Sequence, residues 1–288
     1  MTTALIAESG ATKTEWRLLV DGKLTLSVRG TGFNPNVMTP DHIDQEMGKV
    51  YREHFRNLEP QSLFFYGAGI GGASQEAIMR RVLSSYWPET DIRVKNDLTA
   101  AARSTMRPEG IVCIIGTGSN SCHHRDHEVV ARRGGHGYLF GDEGSGMDLG
   151  RHLVMGLLQE AFPPVIQRFV ESQEGLSVYE LKLAILRDTQ PNVRMARLAK
   201  HLGELLHHES IREMILGRFS AFLETTVCMY PGFDALHVDV MGSIGWHFQD
   251  LFREAAEERS VQVGRFLKDP INDLVTFHQH LLTAQQDQ

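Results

Sequence analysis

The apolar positions of this chain change period several times, and the changes mark its elements. Residues 3–7 and 15–20 are short apolar runs of β type joined by a glycine turn, and Asp21-Gly22 reads as a tight hairpin into residues 24–28. Three antiparallel strands are therefore predicted at the start. Over residues 42–55, Ile43, Met47, Val50 and Tyr51 fall at helical spacing, and over 75–86 Ile78, Val82 and Leu83 repeat it. Between these helices, residues 62–66 form a buried-strand candidate leading into Gly67-Ala68-Gly69-Ile70-Gly71-Gly72. A short strand at 91–94 follows, then a helix at 98–106 that Asn96 or Asp97 would cap.

Around Arg107-Pro108-Glu109-Gly110 the pattern restarts. A strand at 111–115, a glycine turn and a strand-like segment at 128–131 repeat the opening theme, a weak internal duplication. Residues 150–230 are mostly helical, with Leu198, Leu202, Leu205 and Leu206, and later Met214, Ile215, Phe219 and Phe222, on apolar faces. The last predicted strand is 236–241, with a helix beginning near Trp246. Lys268-Asp269-Pro270 breaks the chain before a final helix. The reading is an α/β protein in two similar lobes, 1–107 and 108–288, with a last helix at about 270–288 packing back on the first lobe.

Bulk composition narrows the function. At 288 residues, with 42% hydrophobic and 23% charged positions, the chain is an ordinary globular protein with room for two domains. A net charge of −7 argues against a general affinity for nucleic acid or an anionic membrane. Cys113, Cys122 and Cys228 form no close-spaced pair, which argues against a disulfide framework, a zinc ribbon or an iron–sulfur cluster and fits a reducing compartment. No apolar run reaches the ~20 residues of a membrane span, and the start has no basic stretch followed by an apolar one. The expected location is the cytoplasm.

The candidate chemistry sits in three glycine turns: Glu8-Ser9-Gly10-Ala11-Thr12-Lys13-Thr14, Gly116-Thr117-Gly118-Ser119-Asn120 and Gly141-Asp142-Glu143-Gly144-Ser145-Gly146. Glycine lets the backbone approach a ligand closely, and hydroxyls and N–H groups supply donors for phosphate oxygens. The three suggest a grip on the phosphates of a nucleotide. Asp97 precedes a helix after a short strand, a place that suits an N-cap and a catalytic carboxylate equally well. The cluster His123-His124-Arg125-Asp126-His127 falls on a polar hairpin tip without thiols beside it, so it reads as exposed loop histidines and not as a metal site. His207-His208 and His278 with His280 read the same way.

Together with Asn96-Asp97 and Gly242-Ser243-Ile244-Gly245, these turns make five motifs in order. The set resembles the BadF/BadG/BcrA/BcrD ATPase family, and within it the N-acetylglucosamine kinases of the sugar kinase/heat-shock/actin superfamily. The resemblance implies two ribonuclease-H-like (actin-like ATPase) lobes with a nucleotide cleft between them. It also implies ATP and Mg²⁺ as cofactors and phosphoryl transfer to the 6-hydroxyl of an amino sugar, N-acetylglucosamine foremost. Relatives are often homodimers.

By the same resemblance Ser9, Gly10, Ala11, Thr12, Lys13, Thr14, Gly116, Thr117 and Gly118 hold the phosphates, and Gly242, Ser243 and Gly245 lie against adenosine. Glu8 stands where many members carry aspartate and would meet Mg²⁺, through water. Asp97 becomes the general base. Asn34, Asn96, Thr117, Ser119, Asn120, Gly137, Asp142 and Glu143 would surround the sugar. Two alternatives stay open: a kinase for N-acetylmuramic acid or glucosamine, and an ATPase activating a partner enzyme of the 2-hydroxyacyl-CoA dehydratase type. Activators of that type carry cysteines for a cluster bridging two subunits, an arrangement this sequence does not show.

Overall fold

A strand that is apolar on both faces must be covered on both, and the opening strand is built that way. In β1 (Thr3–Ser9), Leu5 and Ala7 pack into one core while Ala4 and Ile6 pack into another on the opposite face, all four inaccessible to solvent. The computed structural model describes residues 2–10 and 12–286. The chain divides into two compact units, Met1–Arg107 with Pro270–Gln288, and Pro108–Asp269.

In the first unit, β1 pairs antiparallel with β2 (Lys13–Val20), which pairs antiparallel with β3 (Lys23–Thr31). On its other edge β1 runs parallel to β4 (Ser62–Gly67), and β4 runs parallel to β5 (Asp91–Asn96). The order is β3-β2-β1-β4-β5. Between β3 and β4 lies α1 (Pro40–Val50), which Thr39 caps through the N–H of His42. The helix predicted over 42–55 ends as a single π-helical turn, Tyr51–Phe55, that buries Phe55. Helix α2 (Ala73–Tyr86) lies between β4 and β5, and α3 (Asp97–Ser104) follows β5. Ile43 and Met47 of α1 and Met79, Val82 and Leu83 of α2 enter the core that Leu5 and Ala7 face.

The second unit repeats the plan. Strand β6 (Glu109–Ile115) pairs antiparallel with β7 (Ser119–Arg125), and β7 with β8 (Glu128–Gly134). A helical block follows: α4 (Gly146–Leu158), α5 (Pro164–Glu174), α6 (Val178–Leu186), α7 (Pro191–Leu198), the short α8 (Leu202–Leu205) and α9 (Glu209–Thr225). Then come β9 (His237–Met241), α10 (Ser243–His247), α11 (Gln249–Glu257) and β10 (Gln262–Leu267). The sheet order is β10-β9-β6-β7-β8, with β6, β9 and β10 parallel, so the two sheets share one connectivity. The chain then returns to the first unit as α12 (Ile271–Gln286), whose Ile271, Leu274, Val275 and Leu282 cover Ala4 and Ile6. No helix among the described residues is long and apolar enough to cross a membrane.

Three sequence expectations are corrected. Residues 236–241 are not the last strand, because β10 follows; a register shift between Val263 and Phe266 breaks its alternation. The histidine cluster is not a loop: His123 and His124 belong to β7, and His124 is completely buried. The tip itself is only Asp126 and His127, both at positive φ. His278 is no exposed histidine either. It is buried in α12 with Nε2 2.8 Å from the hydroxyl of Tyr66.

Candidate functional site

In each unit the loops that follow the parallel strands lie along one edge of the sheet, where α/β folds bind ligands. In the first unit the strand ends are in register: Ser9 stands beside Gly67, and Gly67 beside Asn96. The turn after β1, the loop after β4 and the start of α3 therefore lie side by side.

Asn96 caps α3. Its Oδ1 accepts the N–H of Thr99 at 2.8 Å and the Thr99 hydroxyl at 3.0 Å. That releases Asp97 from the cap, and its Oδ1 instead accepts the N–H of the adjacent Leu98 at 2.9 Å. Asp97 is half-buried at the head of the helix. Asn34 lies against Gly69, which adopts φ +77°; a Cβ on Gly69 would stand 2.0 Å from Asn34 Oδ1. Only glycine allows that approach.

In the turn after β1, two expected phosphate ligands have another task. Ser9 and Thr14 are fully buried. Ser9 Oγ accepts the N–H of Phe33 at 2.8 Å and lies 2.8 Å from the Thr14 hydroxyl, whose one proton goes to Thr31 O at 2.7 Å. Their hydroxyls pin the turn to the end of β3 and are not spare donors. Lys13 lies 3.6 Å from Glu15, a nearly buried acid that also takes Arg17 and Arg29. Burial would raise the Glu15 pKa, but the hydrogen bonds of Arg29 and Arg17 prevail and hold it below the usual range. Gly10 N–H is bonded to Lys13 O, while Thr12 is exposed. Ala11 lies outside the described residues. Glu8 is half-buried near the end of β1, beside Tyr66 of β4. Among the described residues no three His, Cys, Asp or Glu side chains cluster as a metal site. A Mg²⁺ ion fits such a site when nucleotide phosphates and water supply most of its ligands, with one or two carboxylates at hand.

In the second unit the glycine turns are sewn together. The N–H of Gly146 donates to Gly116 O at 2.8 Å and that of Met147 to Thr117 O at 3.1 Å, which ties the turn after β6 to the start of α4. Asp142 Oδ1 accepts the N–H of Ser119 at 3.2 Å, and the Ser119 hydroxyl donates to Glu143 O at 2.8 Å. Asn120 Oδ1 accepts the N–H of Ser121, and the amide group crowds Gly135. Gly137 is exposed at φ +80°. Among the described residues no hydrogen bond engages the N–H groups of Thr117 and Gly118 or the Thr117 hydroxyl. The turn therefore presents uncommitted donors.

Asp142 sits at φ +64° with its pKa raised, chiefly by burial and against the bond from Ser119. Gly242, at φ +104°, passes so close to β6 that a Cβ would lie 2.5 Å from Ile115 O. Gly245 is buried under Val240, and its lack of a side chain lets α10 pack on β9. Ser243 is exposed and borders a cavity of about 780 Å³ walled by Ile244, Phe248, Leu206, Arg197, Lys200 and His247. Those residues were not among the sequence candidates.

Asp148 also escaped the sequence reading. It is wholly buried, and its carboxylate takes Arg151 at 2.6 Å, Arg218 at 2.7 Å and the N–H of Gly144 at 2.9 Å. Burial would raise its pKa, but hydrogen bonds from His152 and Arg218 drive it far below the usual range. The available signal was Ser145-Gly146-Met147-Asp148, a Ser-x-x-acid start of a helix: Ser145 Oγ accepts the N–H of Asp148.

Comparison with known proteins places this geometry. No family model matches the chain. A curated N-acetylmuramic acid/N-acetylglucosamine kinase from Clostridium acetobutylicum is 31% identical over 160 residues, 53% of this chain and 52% of that protein. The match thus spans about half of that relative's length. The crystal structure of a proposed N-acetylglucosamine kinase from Porphyromonas gingivalis superimposes with a TM-score of 0.87 at 28% identity, over 97% of this chain and 99% of that one. The chain is similar to the N-acetylglucosamine kinases. A second such structure, from Chromobacterium violaceum, has a TM-score of 0.73 over 96% of this chain and 99% of its own; at 18% identity it speaks for the fold. The fold is the actin-like ATPase fold of the sugar kinases, with a ribonuclease-H-like sheet in each unit. The thiols differ from what a shared cluster needs: Cys113 and Cys122 are buried in β6 and β7, and Cys228 is half-buried.

Proposed function

We propose that the chain is an ATP-dependent kinase acting on the 6-hydroxyl of an amino sugar, with N-acetylglucosamine as the preferred acceptor and the cytoplasm as its location. The observation that carries this reading is the set of uncommitted donors at Thr117 and Gly118, held open by the Gly146 and Met147 bonds, in a chain similar to kinases of that class. Transfer of a phosphoryl group asks chiefly for positioning and charge neutralisation. Bound ATP with Mg²⁺ supplies the phosphoryl group.

Thr117 and Gly118 hold its phosphate oxygens, helped by Thr12 in the turn after β1, where Gly10 lets the backbone come close, while Ser9 and Thr14 only shape that turn. Ser243 and the cavity beside it receive the adenosine. Arg197 and Lys200 give that cavity a cationic rim suited to a phosphorylated nucleoside, and Ile244 and Phe248 give it an apolar wall. Asp142 and Glu143 accept sugar hydroxyls, with Asn34, Asn96, Asn120 and Gly137 completing the acceptor site. Asp97 takes the proton of the attacking hydroxyl. The N–H of Leu98 fixes its carboxylate in orientation.

The test is a coupled assay of ADP release over N-acetylglucosamine, N-acetylmuramic acid and glucosamine, with Asp97→Asn as control. N-acetylglucosamine should raise ADP release most. Asp97→Asn should lose ~10²–10⁴-fold in turnover with the fold and ATP binding kept. Absence of any sugar-dependent ADP release defeats the kinase reading, and a fully active Asp97→Asn defeats the assignment of the base.

A further inference from the structure

A second cavity lies in the first unit, on the face of the sheet that carries α3 and α12. Its volume is about 320 Å³. The strand register builds its floor: Phe64 of β4 stands opposite Arg93 of β5, and Tyr66 opposite Lys95. With a side-chain period of two, all four project to one face. Because β5 is the edge strand, Arg93 and Lys95 reach solvent while the two rings are buried. Arg103 from α3 and Phe277 with Leu281 from α12 close the walls.

The lining holds three cations and no acid. Arg103 donates to the Tyr66 hydroxyl at 2.6 Å, and its guanidinium lies 5.6 Å from the Tyr66 ring and 5.2 Å from the Phe277 ring. Arg93 lies 5.5 Å from the Phe64 ring and meets Asp91 at 2.8 Å outside the lining. A guanidinium carries five N–H donors, so that pair leaves others for a ligand. Behind the floor, burial first and then the charges of Arg103 and Arg93 push the pKa of His278 down to about 3, so His278 stays neutral and adds no charge to the site.

We propose that this cavity binds a small ring compound carrying a phosphomonoester, with its ring against Phe64 and Phe277 and its phosphate held by Arg93, Lys95 and Arg103. Guanidinium forks match the spacing of phosphate oxygens, and aromatic walls beside them suit a flat or cyclic body. The volume lies at the small end of the ~300–1,000 Å³ of ligand sites, enough for one ring and its phosphate. None of its lining residues belongs to the glycine turns of the proposed kinase site, and the proposal does not depend on that reading.

The experiment is calorimetric titration of the full chain with phenyl phosphate, inorganic phosphate and phenol. The glycine turns also attract phosphate, so Gly116→Ala is titrated beside the wild type. Phenyl phosphate should bind both proteins, more tightly than either inorganic phosphate or phenol. In Arg93→Gln/Lys95→Gln the affinity should fall about tenfold or more, at least ~1.4 kcal/mol, with the melting temperature kept. Lys95→Gln alone, at a residue without an ion pair among the described residues, should move it in the same direction. Unchanged binding in the double variant overturns the proposal. So does phenyl phosphate binding no more tightly than inorganic phosphate, or loss of binding in Gly116→Ala.

Discussion

The carboxylate of Asp142 accepts the backbone N–H of Ser119 at 3.2 Å, and this bond fastens the turn after β6 to the turn before α4. The backbone of Asp142 is left-handed, and its carboxyl is pressed against Gly118, where a Cβ would lie 2.9 Å from Oδ2.

The first prediction follows from that burial. The folded pKa of Asp142 is raised, so its stabilising contribution is complete below the unfolded aspartate value of about 3.9 and is lost as pH rises through the folded one. Ionised Asp142 therefore weakens the fold at neutral pH. Asparagine keeps the acceptor for Ser119 and tolerates positive φ. Asp142→Asn should melt above the wild type near neutral pH, with the gap closing in acid. Thermal melts across that range check it, and a gap that ignores pH contradicts it.

Asp148 behaves in the opposite sense. Its folded pKa is depressed, so its contribution is present above the unfolded aspartate value and fades as pH falls toward the folded one. Asp148→Ala leaves Arg218, Arg151 and the Gly144 N–H without their buried partner and should cost ~3–5 kcal/mol in urea denaturation. A loss of under ~1 kcal/mol would show that the carboxylate does not hold the turn.

Two glycines separate binding from folding. A Cβ on Gly116 meets nothing within 4 Å, whereas one on Gly242 meets Ile115 O at 2.5 Å from a backbone at φ +104°. Gly116→Ala should melt like the wild type but bind ATP at least ~tenfold more weakly, because the methyl enters the space offered to phosphate. Gly242→Ala should be destabilised by several kcal/mol, ~1–3 of them from backbone strain alone. Melting curves and nucleotide titrations of both variants decide the matter.

Ser9→Ala tests the assigned structural task. It removes the acceptor of the Phe33 N–H at a fully buried position and should cost ~1–3 kcal/mol, while leaving ATP affinity within about twofold. A selective loss of ATP affinity without loss of stability would return Ser9 to the ligands.

The three opening strands and the restart near Arg107 were legible because turns and apolar runs repeat there, and the Gly116 and Gly141 turns prove to be neighbours. What escaped has physical causes. Strand β7, Ser-Asn-Ser-Cys-His-His-Arg, is polar by composition, yet its Ser121 is satisfied by Tyr230 at 2.7 Å and by Arg133 O, so buried polar atoms form a strand that periodicity misses. Strand β10 lost its alternation to the shift at Val263. The hydroxyls of Ser9 and Thr14 read as phosphate donors because sequence shows which groups a turn carries and not which way they face. The cavity beside α10 joins Arg197 and Lys200 to His247, residues far apart in the chain.

Helix α12 has a consequence for how the molecule is made. Ala4, Ile6 and Phe64 are shielded by Ile271, Leu274 and Val275, about 200 residues or more downstream. The second unit is continuous in sequence and can close as soon as it leaves the ribosome. The earlier-made half must wait, one face of its sheet bare, until the final segment emerges. Domains usually mature from the N-terminus onward during synthesis; here the first unit is complete only once residues 271–282 are made.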